Sequence, residues 1–190
     1  MQKYINKKDY LPLVLLVLMI ASYFLPWLSG SGDIDRIWLG ETYHYHTESS
    51  INGFGRGRVD SWADSTHSSA SLIWEYGWLN IVGLVLMLIG AIICVLPLLN
   101  VELGSLGTKK DLVALFFTAL VLILGFVYVG LFFSGAGDIE MRYGEVAVLP
   151  LSQYLENAKT YLNLTYSIDY GFILFVILSI AQIVLLLKKK

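Results

Sequence analysis

Residues 11–28, 78–99, 112–133 and 170–187 form four runs without a charged side chain and with almost no break in hydrophobicity. Each has about the 17–25 residues a helix needs to cross roughly 30 Å of hydrocarbon. Only helices and closed barrels satisfy their own backbone in lipid. Unbroken runs of this kind, lacking period-2 alternation, predict four membrane-crossing helices. The expected fold is an all-α transmembrane four-helix bundle with a small extracytoplasmic β-rich cap. Pro12 falls in the first turn of the first helix, where a missing N–H costs little. Pro26-Trp27-Leu28 is expected to end that helix, with Trp27 at interfacial depth.

The segments between the runs have a different pattern. Residues 37–51 and 54–62 flank Asn52-Gly53, a strong hairpin signal. A two-residue turn there sets Ile51 opposite Phe54, Thr47 opposite Arg58 and Tyr43 opposite Trp62. Residues 61–71 are small and polar and suggest a linker. Residues 139–149 suggest one strand. After Pro150, the helical spacing of Leu151, Tyr154, Leu155, Ala158, Tyr161 and Leu162 predicts a surface helix. Asp169 is placed to cap the last helix. Gly83, Gly90 and Cys94, with Ala114, Thr118 and Gly125, form small-residue stripes that let helix backbones approach.

One motif occurs twice. Ser29-Gly30-Ser31-Gly32-Asp33-Ile34-Asp35 is echoed by Ser134-Gly135-Ala136-Gly137-Asp138-Ile139-Glu140, each after an apolar run. A second tag opens a further run in each half: Trp74-Glu75-Tyr76-Gly77-Trp78 and Asp169-Tyr170-Gly171-Phe172. Repetition predicts two parallel two-helix repeats. The units are residues 1–100, with outer segment 29–77, and residues 101–190, with outer segment 134–169.

Charge orients the bundle. The N-terminal segment, the loop between the second and third runs and the tail hold eight basic residues against three acids. The two longer segments hold five basic residues against twelve acids. Basic excess marks the cytoplasmic side, so both termini are expected inside a cell membrane and both long segments outside. The first run is longer than a signal-peptide core and is read as a retained anchor. Cys94, the single cysteine, lies within a run, so no internal disulfide is available. Asn163-Leu164-Thr165 fits a glycosylation acceptor.

Candidate chemistry is confined to the outer segments. His44, His46 and Glu48 share one face of the expected strand, a spacing that offers two imidazoles and a carboxylate to a metal or simply makes a solvated face. Asp33, Asp35, Asp138 and Glu140 follow helix C-termini, where the dipole disfavours negative charge. They are expected to pair with Arg36 and Arg142, the alternative being a hard-cation site. No cofactor is expected apart from a divalent cation at one of these clusters. No Asp, Glu, Lys, Arg or His lies inside a run, which argues against proton-coupled transport. No catalytic residue is identified, and an enzyme is not expected.

Trp74 and Trp78 before the second helix, a long first outer segment and a shorter second one resemble claudin-like tetraspan membrane proteins. The Leu25-Pro26-Trp27 helix end before a glycine-rich stretch is similar to small prokaryotic four-helix membrane proteins of unassigned function. The claudin-like resemblance implies a four-span fold and a barrier or adhesion role, here without that family's paired loop cysteines. The expected function is that of a non-enzymatic membrane protein whose outer cap mediates assembly, adhesion or partner binding. The alternatives are an oligomeric pore or accessory subunit of a transport complex, and an extracytoplasmic metal-binding protein or enzyme. Expected partners are the lipid bilayer and other membrane proteins or further copies of the chain, not nucleic acid.

Overall fold

A computed structural model describes residues 7–38, 41–63, 66–96, 105–136, 139–143, 146–150 and 165–188. Helix α1 (Lys7–Ser22) leads through a turn into strand β1 (Pro26–Trp38), followed by β2 (Glu41–Asn52), β3 (Arg56–Ala63) and β4 (Thr66–Trp74). Helices α2 (Gly77–Val95) and α3 (Ser105–Phe133) come next. Strands β5 (Ile139–Tyr143), β6 (Val146–Pro150) and β7 (Thr165–Ile168) precede the last helix, α4 (Tyr170–Lys188).

The expectation of an all-α bundle with a small cap is corrected. Seven strands form one antiparallel sheet, in the order β6-β5-β4-β3-β2-β1-β7. Among the described residues, three helices, not four, are long and apolar enough to cross a membrane: Gly77–Val95, Lys109–Phe133 and Tyr170–Lys188. The first apolar run divides between two elements. Its helix stops at Ser22, and α1, with 16 residues, extends only about 24 Å at 1.5 Å per residue. Pro26 cannot donate to a helix and biases Leu25 away from helical dihedrals, so the chain turns at 23–25 and becomes strand. Trp27 is correspondingly at the centre of the molecule, fully buried, with its indole N–H on Ser22 O at 2.9 Å.

Strand alternation gives the sheet two unlike faces. Leu28, Ile51, Val59, Ala70, Leu72 and Trp74 are buried toward the helices, while Ser29, Ser50, Arg58, Asp60, Ser69 and Ser71 beside them in sequence point away. The residues 61–71, expected as a linker, complete β3 and form most of β4. Their serines and threonines concealed an alternating set, Ala70, Leu72 and Trp74, that packs inward.

Sheet and helices are joined by the loop between β2 and β3. The Asn52 side chain accepts N–H bonds from Phe54 at 2.9 Å and Arg56 at 3.1 Å, shaping a turn that Gly55 completes at φ +71. Gly53 N–H donates to Tyr23 O at the end of α1 (3.0 Å), and Asn80 of α2 donates to Gly53 O (2.6 Å). Tyr128 of α3 donates to Asn52 O (2.9 Å), and Trp74 N–H of β4 to Gly55 O (2.7 Å). Tyr23, Trp27, Trp74, Tyr128, Phe172 and Phe175 pack around this plug with ring centroids 4.6–5.6 Å apart along the chain of contacts Phe172–Trp27–Tyr23, Trp27–Phe175 and Trp27–Tyr128–Trp74.

The wider loop moves the hairpin register. His46, not Tyr43, faces Trp62, Ser61 faces Thr47, and Gly57 rather than Phe54 faces Ile51. The segment 139–149 is likewise two paired strands, β5 and β6, instead of one.

The two repeated tags behave differently. Ser29 to Asp35 lies inside β1, whereas Ser134-Gly135-Ala136 terminates α3, with Gly135 at φ +72 and Ala136 N–H on Leu131 O at 3.0 Å. The first three positions of the two tags therefore do not form the matching turns expected, although Ile34-Asp35 and Ile139-Glu140 both lie in strands, β1 and β5. The second tags do share a role. Gly77 begins α2 against the Phe54 carbonyl, and Gly171 begins α4 against the Pro26 carbonyl, both too close for a Cβ. The two halves also exchange strands, β4 pairing with β5 and β1 with β7. The small residues of the bundle make room for aromatic side chains rather than for a neighbouring backbone: Gly83 faces the Tyr23 hydroxyl and Gly125 the Phe175 ring. Asp169 takes the Tyr170 N–H at the start of α4 at 2.6 Å.

Candidate functional site

The sheet face turned away from the helices carries the chemistry. Because antiparallel partners share a face, the register alone assembles its rows. One row runs Asp33 (β1), His46 (β2), Trp62 (β3), His67 (β4). The next, nearer the helices, runs Ser31, Glu48, Asp60, Ser69, and the third Ser29, Ser50, Arg58, Ser71.

In the first row His46 Nδ1 lies 2.9 Å from Asp33 Oδ1, and its Nε2 lies 3.6 Å from Glu48 Oε1. Trp62 stands between two imidazoles. Its ring centroid is 6.2 Å from that of His46 and 5.4 Å from that of His67, with interplanar angles of 26° and 28°. His67 Nε2 in turn meets Asp60 Oδ1 at 3.1 Å, and Arg58 Nε meets Asp60 Oδ2 at 2.9 Å. The hydrogen bond with Asp33 raises the His46 pKa above its ordinary value, against an opposing desolvation and with help from the charges of Asp33 and Glu48. Asp60 is desolvated, which favours its neutral form. Hydrogen bonds from Arg58, Ser69 and His67 and the Arg58 charge outweigh this and hold its carboxyl below the usual range.

A cleft of about 380 Å³ opens on the same face between β7, β1, β2 and β3. Its walls are the hydroxyls of Ser29, Ser31, Thr165 and Ser167, together with Glu48 and the Arg58–Asp60 pair.

The sequence-expected residues fare unevenly. His46 and Glu48 come together with Asp33, which was assigned to a different cluster. Asp33 lies well beyond the end of α1, so the helix dipole does not reach it, and among the described residues its partner is the His46 imidazole. Asp35 is opposite His44 and Arg36 opposite Tyr43 in the β1–β2 register; Glu140 is opposite Ile73 and Arg142 opposite Ser71. Asp138, Asn163 and the helix expected after Pro150 lie outside the described residues. Among the described residues, no group of three or more His, Cys, Asp or Glu is arranged to hold a metal ion. Trp62, Asp60 and Arg58 were not assigned to a site from the sequence, and His67 was considered only as a third metal ligand for His44 and His46 should its loop fold back; it meets Asp60 instead. Arg56, Arg58, Asp60 and Trp62 do alternate with inward positions, and that spacing was the available signal.

Compared with known proteins, the chain matches no protein-family model and no curated protein sequence.

Proposed function

We propose that this chain is a non-enzymatic integral membrane protein whose outward sheet face binds a protein partner or assembles with further copies. The observation that carries the reading is the asymmetry of the sheet. One face is fixed to the helix bundle through the Asn52–Gly55 loop and the buried Trp27 and Trp74. The other presents ordered rows of hydroxyls, carboxylates, imidazoles and a guanidinium on a rigid floor. Such a polar surface, with a partly exposed tryptophan and arginine, resembles the rims and anchors of protein interfaces.

In this proposal α1 packs beside α2 and α4, with its first turn on the side remote from the sheet. Leu11, Val14, Val17 and Leu18 form an exposed apolar side on α1, suited to lipid. The lysines at the start of α1, near the start of α3 and at the end of α4 all belong to helix ends remote from the sheet. The positive-inside rule then sets the sheet outside and both termini in the cytoplasm.

Two measurements test the reading. A cysteine at Ser50 is expected to react with an impermeant reagent on intact cells, and one at Lys109 only after lysis; the reverse order overturns the orientation. A photo-crosslinking amino acid at Ser31 is expected to give a discrete protein adduct in native membranes. Substituting Trp62→Ala should abolish that adduct, and an adduct that persists counts against the sheet face as the contact.

A further inference from the structure

His46 is surrounded by groups that respond to its proton. Asp33 of β1 lies 2.9 Å from Nδ1 and Glu48 of its own strand 3.6 Å from Nε2. Around these, His44 is two residues back on β2, and Asp35 is opposite His44 in the β1–β2 register. Asp60 of β3 is opposite Glu48 and is itself held by Arg58 and by His67 of β4. The strand on the far side of β1, β7, contributes Thr165 and Ser167, which carry no charge. Both groups nearest the His46 ring nitrogens are therefore anions, and the cation Arg58 is committed to Asp60.

Neutral imidazole carries one N–H, and imidazolium carries two. Protonated His46 donates to Asp33, attracts Glu48 and lays a cation on the indole of Trp62. Neutral His46 keeps its single N–H for Asp33. Its Nε2 lone pair then faces the Glu48 carboxylate, and attraction is replaced by repulsion.

We propose that His46 is a proton-operated latch on the outer face. Protonated, it draws Asp33, Glu48 and Trp62 into one row across β1, β2 and β3. Neutral, it releases Glu48 at the rim of the hydroxyl-lined cleft, where the carboxylate becomes available to a partner. This rests on the reading of the outer face as a binding surface. The exposure of the parts suits the role: the side chains of His46, Glu48 and Asp33 are 53%, 62% and 81% exposed, so protons and partners both reach them.

The test uses the full chain in detergent and follows Trp62 fluorescence with pH, because an imidazolium quenches an indole stacked on it. The difference from Trp62→Phe isolates this indole among the five tryptophans. His67→Gln as background leaves His46 as the only imidazole against it. Emission is expected to rise with pH, with a midpoint above the ordinary imidazole value of 6.5. Asp33→Asn should move that midpoint down, Glu48→Gln should move it in the same direction by less, and His46→Gln should abolish the transition. A midpoint unmoved by Asp33→Asn, or a transition that survives His46→Gln, overturns the latch. The Ser31 photo-adduct is expected to strengthen as pH rises through the same midpoint and to lose its pH dependence in His46→Gln. Adduct yields that stay flat with pH while the fluorescence responds overturn the latch's control of binding. No adduct at any pH overturns the binding reading itself, and the fluorescence still decides on the latch.

Discussion

A methyl group is enough to separate the glycines that the fold requires from those it only tolerates. A Cβ on Gly77 or Gly171 would collide with a backbone carbonyl, Phe54 O or Pro26 O, whereas Gly130 on α3 has open space around it. Gly77→Ala and Gly171→Ala should each destabilise by about 1–3 kcal/mol, as overpacking does. Gly130→Ala should be neutral or stabilising by up to about 1 kcal/mol, since it removes the helix penalty of glycine. Thermal unfolding of the three variants in one detergent checks the contrast. The charged row makes a prediction at the same scale. His46 has a folded pKa above its unfolded value, so its contribution is complete below the unfolded value and is lost as pH rises through the folded one. Asp60 has a depressed pKa, so its contribution is present above the unfolded carboxylate value and is lost as pH falls through the folded one. The melting temperature should therefore peak at mildly acidic pH and decline on either side. In His46→Gln the decline on the alkaline side of the peak should shrink. A melting temperature that instead climbs from mildly acidic to neutral pH contradicts this assignment.

Among the elements, α4 carries an unusual residue. Gln182 is fully buried, and neither end of its carboxamide has a hydrogen-bond partner among the described residues. An unsatisfied buried amide costs about 1–3 kcal/mol, so Gln182→Leu should raise the unfolding free energy by an amount of that order. If the variant is less stable instead, ordered water satisfies the amide in the membrane. Long apolar runs made α2, α3 and α4 legible in the sequence, because periodicity is not needed when a helix is apolar all round. The first run misled for the same reason: hydrophobicity continues through Leu28, but Pro26 ends the possibility of helix and hydropathy does not register this. The sheet was half legible. Asn52-Gly53 located the reversal, yet the Asn52 side chain bonds forward to Phe54 and Arg56 and lengthens the loop. A register that depends on one side-chain hydrogen-bonding choice is not written in alternation, and the slip hid the His46–Trp62–His67 stack. Strand β4 was illegible because serine and threonine satisfy both a linker and an exposed strand face.

For the whole molecule, the strand exchange between the halves has a consequence for how the protein is made. Translation delivers β1 to β4 first, yet β4 finds its neighbour in β5 and β1 finds part of its own in β7. The Asn52–Gly55 loop also waits for Tyr128 of α3, a residue synthesised long after it. A nascent chain that has only reached α2 holds four strands with two unpaired edges, the arrangement most open to wrong pairing. At about 5–20 residues per second, the first four strands stay in that condition for several seconds. Protease resistance of residues 41–63 in stalled nascent chains should therefore be low when the chain ends after α2 and rise sharply once α4 has been inserted. Resistance already complete at the shorter length would mean that the four-stranded half stands alone. Otherwise the first four strands wait unfinished through the synthesis of two further helices, and the polar face of the sheet is complete only once β5 and β7 have joined its edges.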